Sequence, residues 1–365
     1  MESQTPAYPG VPLAGEKHAA VLSGMPVNEL IQILAPLPRY RAIQIFRWIS
    51  GGAKCFSDMK NLSLSLREEL GGRFTVRTGT INTRLDDPDG TIKLGITLAD
   101  GNKIEAVLLA DGRDRKTACL STQAGCPAGC VFCKTGRLGF NRNLTSAEIM
   151  EQFLLLREAA GDSHGAVSNI VIMGMGEPLL NLNELRKALE VITDPRGIAM
   201  SKRRITISTC GISGGIMDLA DNGPHVRLAL SLTAADESLR KRLMPISQAH
   251  DPDALKKALV YYQKKTGLRI TLEAVLLAGI NTRPADASGL AAFARGLDAV
   301  INLIPWNSFE NPAEFTPALR EPDLGEIAAF RKSLESLGMN VTCRMRKGRS
   351  VSGACGQLGQ TSSGQ

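Results

Sequence analysis

Three cysteines, Cys126, Cys130 and Cys133, fall within eight residues in the order Cys-Pro-Ala-Gly-Cys-Val-Phe-Cys. Thiolates at this spacing can converge on one metal centre from a single loop. A structural zinc site usually takes four ligands, often from two separated Cys-x-x-Cys pairs. No second pair exists here, because Cys55, Cys210 and Cys343 are isolated. Three thiolates suit a four-iron cube, whose remaining iron then stays open to a substrate or cofactor. The plainer reading is a zinc knuckle completed by His164 or a distant cysteine. Two more cysteines stand apart. Cys119 lies seven residues before the first of the three, and Cys355 sits in a Gly-rich stretch poorly suited to a core cysteine. Taken alone, each reads as a small buried residue.

The loop must be held by regular elements, and the sequence around it alternates strand and helix. Strand-like apolar runs occur at Ala118–Ser121, Asn169–Met173, Arg204–Thr209, Val226–Leu232, Ile270–Leu277 and Val300–Pro305. Helical spacing occupies Thr145–Ala159, Leu182–Thr193, Asp253–Lys265 and Ala287–Leu297, with Leu324–Leu337 and Val341–Met345 as a last helix and strand. Thr145 and Glu148 form a capping-box pair. Six βα units imply a parallel sheet, open or curled into a partial barrel, with function at the carboxyl ends of its strands. Upstream, Phe74–Leu109 is strand-rich and punctuated by Asp89-Gly90 and Asp100-Gly101, which signal hairpins. Further upstream, Pro26–Ala35, Arg39–Ser50 and Ser63–Leu70 have helical spacing and carry Arg39, Arg41, Arg47 and Lys54.

The expected organisation is a flexible leader over 1–25, a small helical domain over 26–72 and a β-rich extension over 73–116. A partial barrel over 117–348 and a tail over 349–365 complete it. The fold class is α/β, a partial (β/α)6 barrel with a small N-terminal helical domain and a β-hairpin extension.

Composition narrows the function. A net charge of +7 and a pI near 9.0 fit a polyanionic partner. Aromatic residues make up only 4%, too few for a surface that stacks many bases. Neither a signal peptide nor a membrane-length apolar run is present, so a cytoplasmic protein without membrane partners is expected. In that reducing compartment eight cysteines are metal ligands or redox groups sooner than structural disulfides.

The cysteine spacing at the end of a first strand resembles the radical S-adenosylmethionine (SAM) superfamily. Further motifs narrow the resemblance. Cys-Leu-Ser-Thr-Gln-Ala-Gly over 119–125, Gly-Phe-Asn-Arg-Asn-Leu over 139–144 and Gly-Met-Gly-Glu-Pro-Leu-Leu-Asn over 174–181 are three of them. Asn-Leu-Ile-Pro-Trp-Asn over 302–307 and Ala-Cys-Gly-Gln-Leu over 354–358 complete the set. Together they resemble the RlmN/Cfr family of RNA methyltransferases over roughly residues 25 to 358.

The resemblance implies a [4Fe-4S] cluster on Cys126, Cys130 and Cys133, with SAM chelated at the open iron. It implies SAM contacts from Gly176, Glu177, Ser208, Ser231, Leu232, Thr233 and Asn307. It makes Cys355 the methyl-carrying cysteine, Cys119 the resolving cysteine and Glu105 the proton acceptor. Two SAM are consumed per turnover: one methylates Cys355, and the other yields the radical that abstracts hydrogen from that S-methyl group. The carbon then bonds to an electron-poor adenine carbon, and Cys119 attacks Cys355 to release the RNA with a disulfide left behind. The implied partners are 23S rRNA, adenosine-37 of tRNA and a flavodoxin- or ferredoxin-type electron donor, with the enzyme acting as a monomer.

Two positions depart from the family pattern. Thr233 stands where a histidine is expected, and Ser350-Val351-Ser352-Gly353 replaces an acidic lead into Cys355. The basic run Arg344, Arg346, Lys347 and Arg349 just before it suits a phosphate backbone. Methylation at C2 of the adenosine is the leading expectation. C8 methylation of the same rRNA adenosine, which confers antibiotic resistance, uses the same cysteines. A reading of another class is a non-catalytic iron–sulfur redox or RNA-binding protein, which would need neither SAM contacts nor the Cys119/Cys355 pair.

Overall fold

The computed structural model describes residues 20–111, 115–161, 167–310, 312, 314–344, 347–348 and 350–359. His164, Met345, Arg346, Arg349, most of the expected leader and the end of the tail lie outside the described residues. At the start, β1 (Ala20–Val21) pairs in parallel with β2 (Phe74–Thr75). Between them lie helices Val27–Ile33, Arg39–Ser50 and Leu64–Gly71, matching the three helical segments expected. Their apolar faces join the main core: Leu30, Ile45, Phe46 and Ile49 are fully buried in the same cluster as the sheet residues. A buried carboxylate fastens this part down. Glu151 accepts hydrogen bonds from the Ser23 hydroxyl at 2.9 Å and the Gly79 N–H at 2.7 Å.

Three antiparallel strands follow, β3 (Thr80–Asp86), β4 (Ile92–Thr97) and β5 (Lys103–Asp111), and β5 also pairs antiparallel with β6 (Arg115–Cys119). Both Asp-Gly pairs sit in the turns, with Gly90 and Gly101 at φ 85° and 83°, a region that favours glycine. β7 (Gln123–Gly125) and β8 (Phe140–Asn143) make a small hairpin around the cysteine loop. The strands β9 (Val167–Ile172), β10 (Ile205–Thr209), β11 (Arg227–Ser231), β12 (Ile270–Leu276), β13 (Ala299–Pro305) and β14 (Val341–Cys343) run parallel to β6.

The sheet order is β14-β13-β12-β11-β10-β9-β6-β5-β4-β3. Parallel strands adjacent in sequence are adjacent in space, the arrangement of successive βα units wound in one direction. Among the described residues, seven parallel strands, with an antiparallel extension on the β6 side, thus form one ten-stranded sheet. The Thr145/Glu148 capping box is present at the helix Ser146–Ala159, with Glu148 N–H on the Thr145 hydroxyl at 3.2 Å and Thr145 N–H on the Glu148 carboxylate at 2.8 Å.

Most boundaries lie within two residues of expectation, and two elements differ by more. The helix expected over Ala287–Leu297 begins earlier, at Pro284, because Arg283 and Asp286 cap its start, and it ends at Ala294. The first parallel strand begins earlier, at Arg115, and ends at Cys119 instead of Ser121, since residues 120–122 turn into β7. Among the described residues no helix is long and apolar enough to cross a membrane.

Candidate active site

The β7/β8 hairpin sets the base of the cysteine loop. Cys126 N–H donates to the Gly139 carbonyl at 2.7 Å, and a Cβ on Gly125 would lie 2.0 Å from that same oxygen. Within the loop, Cys133 N–H donates to Cys130 O at 3.1 Å, and Val131 N–H reaches Leu243 O at 3.0 Å. The indole N–H of Trp306, just past β13, holds the Phe132 carbonyl at 2.9 Å. The loop therefore hangs over the carboxyl ends of the parallel strands.

Cys126, Cys130 and Cys133 line one cavity of about 160 Å³. Gly176, Glu177, Ser208, Ser231, Asn307 and Cys355 line it as well. Burial pushes the Cys126 thiol up to about 12. It also raises Cys130 and Cys133; at Cys130 the neighbouring Cys133 and Cys126 charges add to the rise, while at Cys133 hydrogen bonds from Gly136 and Thr135 oppose it. Three thiols so placed ionise together only when a cation compensates them. A cluster carrying several iron ions meets that requirement, so the donor set fits a [4Fe-4S] group.

The strand ends supply the polar wall. Glu177 is 3% exposed, and its carboxylate is fully engaged. One oxygen accepts from Leu179 N–H at 3.0 Å and the Thr209 hydroxyl at 2.7 Å; the other accepts from Cys210 N–H at 2.7 Å. Burial raises this carboxyl, and those donors oppose the rise. Its side chain thus ties the β9 and β10 ends together. Gly176, at φ 103°, packs against Gln123, whose Cβ would lie 2.6 Å from an added methyl, so the glycine is required by this close approach.

Ser208 donates to Glu273 at 2.9 Å and lies 3.3 Å from the Ser231 hydroxyl. Leu232 and Thr233 are buried behind the wall, their N–H groups both on Glu273 O, at 2.9 and 3.0 Å. Neither is among the lining residues. Thr233 adopts φ 58°, uncommon for a β-branched residue, and its buried hydroxyl has no hydrogen-bond partner. The Asn307 amide donates to the Cys355 carbonyl at 3.4 Å.

The two lone cysteines meet in a second, smaller cavity. Cys119, 5% exposed at the end of β6, and Cys355 both line it, together with Met173, Asn307 and Arg344. Cys355 lines both cavities and so marks their junction. Burial, followed by the nearby Cys355 sulfur, pushes the Cys119 thiol up to about 12. No disulfide joins this pair.

Glu105 lies outside both cavities. It is 2% exposed on β5, 3.2 Å from the Lys93 ammonium, and accepts the Gly359 N–H at 2.6 Å. The segment carrying Cys355 is tied down at several points. Ser350 N–H and hydroxyl donate to Asp87 at 3.0 and 2.7 Å, Gly348 N–H donates to Asp89 at 2.9 Å, and the Thr135 hydroxyl donates to Leu358 O at 2.6 Å.

The basic residues are less uniform than expected. Arg344 turns inward to Cys355, away from any phosphate-facing position, and Lys54 is paired with Glu158. Sequence reasoning missed Glu273, Arg240, Trp306 and the role of Arg344. Arg240, buried, donates to the carbonyls of Cys210, Ser231 and Leu232 and so ties the ends of β10 and β11 together. Only Glu273 left a signal, as a carboxylate alone among the apolar residues of its strand.

Comparison with known proteins agrees with this arrangement. The Radical SAM superfamily profile matches residues 120–287. A Treponema pallidum protein named "Probable dual-specificity RNA methyltransferase RlmN" is 46% identical over 346 residues, covering 93% of this chain and 97% of that protein. A Thermus thermophilus protein of the same name is 42% identical, covering 91% and 92% of the two chains. The crystal structure of a radical SAM methyltransferase from Sphaerobacter thermophilus superposes with a TM-score of 0.88 at 36% identity, covering 93% of this chain and 99% of that one. With the cysteine loop, the strand-end wall and matches along nearly the whole length, the chain belongs to the RlmN/Cfr family of radical SAM RNA methyltransferases.

Proposed function

We propose that this enzyme methylates C2 of an adenosine in the peptidyl transferase centre of 23S rRNA, and adenosine-37 of tRNA, through an S-methylcysteine at Cys355. The observation that carries this reading is the position of Cys355 at the junction of two cavities, one lined by the three loop cysteines and the other by Cys119. A sulfur there can take a methyl group on one side and be attacked by a second thiol on the other.

Cys126, Cys130 and Cys133 would hold the cluster, and the wall formed by Gly176, Glu177, Ser208, Ser231 and Asn307 would hold SAM, with Leu232 and Thr233 supporting it from behind. When bound, cluster and SAM together supply the one-electron chemistry that an electron-poor ring carbon requires. Cys355 accepts the methyl group as a nucleophile and carries the carbon to the base. Glu105 takes the ring proton, and it becomes accessible once the segment ending at Gly359 lifts away. Cys119 then attacks the Cys355 sulfur and frees the RNA.

Two SAM are used per turnover, and a flavodoxin- or ferredoxin-type protein returns the electrons. The enzyme works as a cytoplasmic monomer, and the helical region over 26–72 contacts RNA. The test is nucleoside mass spectrometry of rRNA and tRNA treated with reconstituted, reduced enzyme. 2-Methyladenosine is the expected product. 8-Methyladenosine would overturn the regiochemistry, and SAM cleavage without any methylated nucleoside would overturn the RNA assignment.

A further inference from the structure

Arg344 follows β14 and continues its pairing, with its N–H on Leu303 O at 2.8 Å. The side chain, partly buried, enters the smaller cavity. One guanidinium nitrogen lies 3.2 Å from the Cys355 sulfur and 3.6 Å from the Met173 sulfur. Among the described residues no carboxylate stands within ion-pair distance of Arg344. A guanidinium stays charged and offers donors only. The group it faces must therefore accept, and a thiolate accepts far better than a thiol or thioether.

Cys119, which lines the same cavity, is more deeply buried, and burial raises its thiol. Two cysteines thus share one cavity, but among the described residues only Cys355 has a cation at hydrogen-bond distance. The other titratable groups that line the two cavities with Cys355 are Lys347 from its own segment, Cys126, Cys130 and Cys133 from the cysteine loop, Glu177 after β9, Cys210 after β10 and Glu273 from β12.

We propose that Arg344 is the positioning residue that selects Cys355, and not Cys119, as the methyl-accepting sulfur, by holding it as a charge-paired thiolate at the junction of the two cavities. The proposal rests on the reading of Cys355 as the methyl carrier. In the transfer, the Cys355 thiolate attacks the methyl carbon of SAM. An S–CH3 bond forms as the sulfonium carbon–sulfur bond breaks. The products are a neutral thioether on Cys355 and S-adenosylhomocysteine; one negative and one positive charge cancel and no proton moves. Methylation thereby removes the anion that Arg344 holds, which releases its side chain and loosens the segment for the later steps.

The test compares wild type, Arg344→Gln and Arg344→Lys as cluster-reconstituted proteins whose Cys355 is shown by mass spectrometry to be unmethylated. Each is treated with iodoacetamide near neutral pH, and the labelling rates of Cys355 and Cys119 are read by peptide mapping. Cys355 should label at least about tenfold more slowly in the Gln variant, and the Lys variant should recover to within about threefold of wild type. Cys119 should label slowly in all three.

Equal Cys355 rates in wild type and Arg344→Gln would overturn the proposal. So would a Lys variant as slow as the Gln variant, since packing and not charge would then be responsible. Arg344→Met replaces the Gln variant if the latter does not retain the cluster absorbance. The methyl-carrier reading is checked separately, by S-methylcysteine at position 355 in wild-type protein given SAM. Its absence would end that reading while the labelling rates still report on Arg344.

Discussion

The carboxylate of Glu105 accepts a 2.6 Å hydrogen bond from the backbone N–H of Gly359, a residue 254 positions further along the chain. The same carboxylate pairs with buried Lys93 at 3.2 Å. An acidic residue within the strand-rich extension and the segment bearing Cys355 are thereby fastened to each other.

Replacing Lys93 by Met leaves the buried Glu105 carboxylate without its cation. Breaking one side of such a pair costs roughly 3–5 kcal/mol. Urea denaturation of Lys93→Met should show a loss of that order. Adding Glu105→Gln to the same protein should recover most of it, because the uncompensated charge is gone.

Changing any one of Cys126, Cys130 or Cys133 to Ala should remove the visible iron–sulfur absorbance and all SAM cleavage. Three thiolates are the full protein donor set of the loop. A variant with intact absorbance and cleavage would disprove the ligand assignment.

Cys119→Ala should form the carbon–carbon bond to RNA and stop there, with the RNA tethered to Cys355. Water does not readily break that carbon–sulfur linkage, whereas a thiolate attacks the sulfur directly. A nuclease-sensitive upward shift on a denaturing gel is expected. Adding Cys355→Ala should abolish it. Release of methylated RNA at the wild-type rate would sink the two-cysteine scheme.

Burial of Cys119 also predicts a pH effect on stability. Its thiol is pushed up to about 12 from an ordinary value of 9.0, so the unfolded chain ionises first as pH rises. Below 9 both states hold the proton, and Cys119 gives no pH dependence. Between 9 and 12 only the native state keeps it, so stability falls with a slope of about 1.4 kcal/mol per pH unit from this residue. Other buried thiols contribute in the same range, so the measurement is the difference between wild type and Cys119→Ala in cluster-free protein. The Cys119→Ala curve should be flatter above pH 9.

The parallel strands were legible because each is a short, mostly apolar run, and the helix after the cysteine loop because Thr145 and Glu148 cap it. The helix Ser213–Asn222 was not legible, because Gly214 and Gly215 occupy its first turn and weaken the helical signal. Gly215 is there for packing: a Cβ would fall 2.8 Å from that of Leu179. The motifs brought Cys126, Cys130, Cys133 and Cys355 to one cavity on paper, and the fold places them there. The motifs could not show that Thr233 turns its hydroxyl into the interior, nor that Arg344 leaves the basic run to face a sulfur. Both depend on backbone direction at a strand end, which composition does not encode.

The ties between the β3–β5 hairpins and the segment around Cys355 also set an order of assembly. Ser350 to Asp87 and Gly359 to Glu105 close loops of 263 and 254 residues. Loop closure of that length gains nothing until most of the intervening chain is already compact. Sheet and cysteine loop can therefore form while the segment bearing Cys355 is still detached. The same contacts are the first that a small fluctuation can surrender without disturbing the sheet. Release and recapture of this one segment is thus a low-lying excursion of the native protein, and amide hydrogen exchange at Gly348, Ser350 and Gly359 should run well ahead of exchange in β9 to β12.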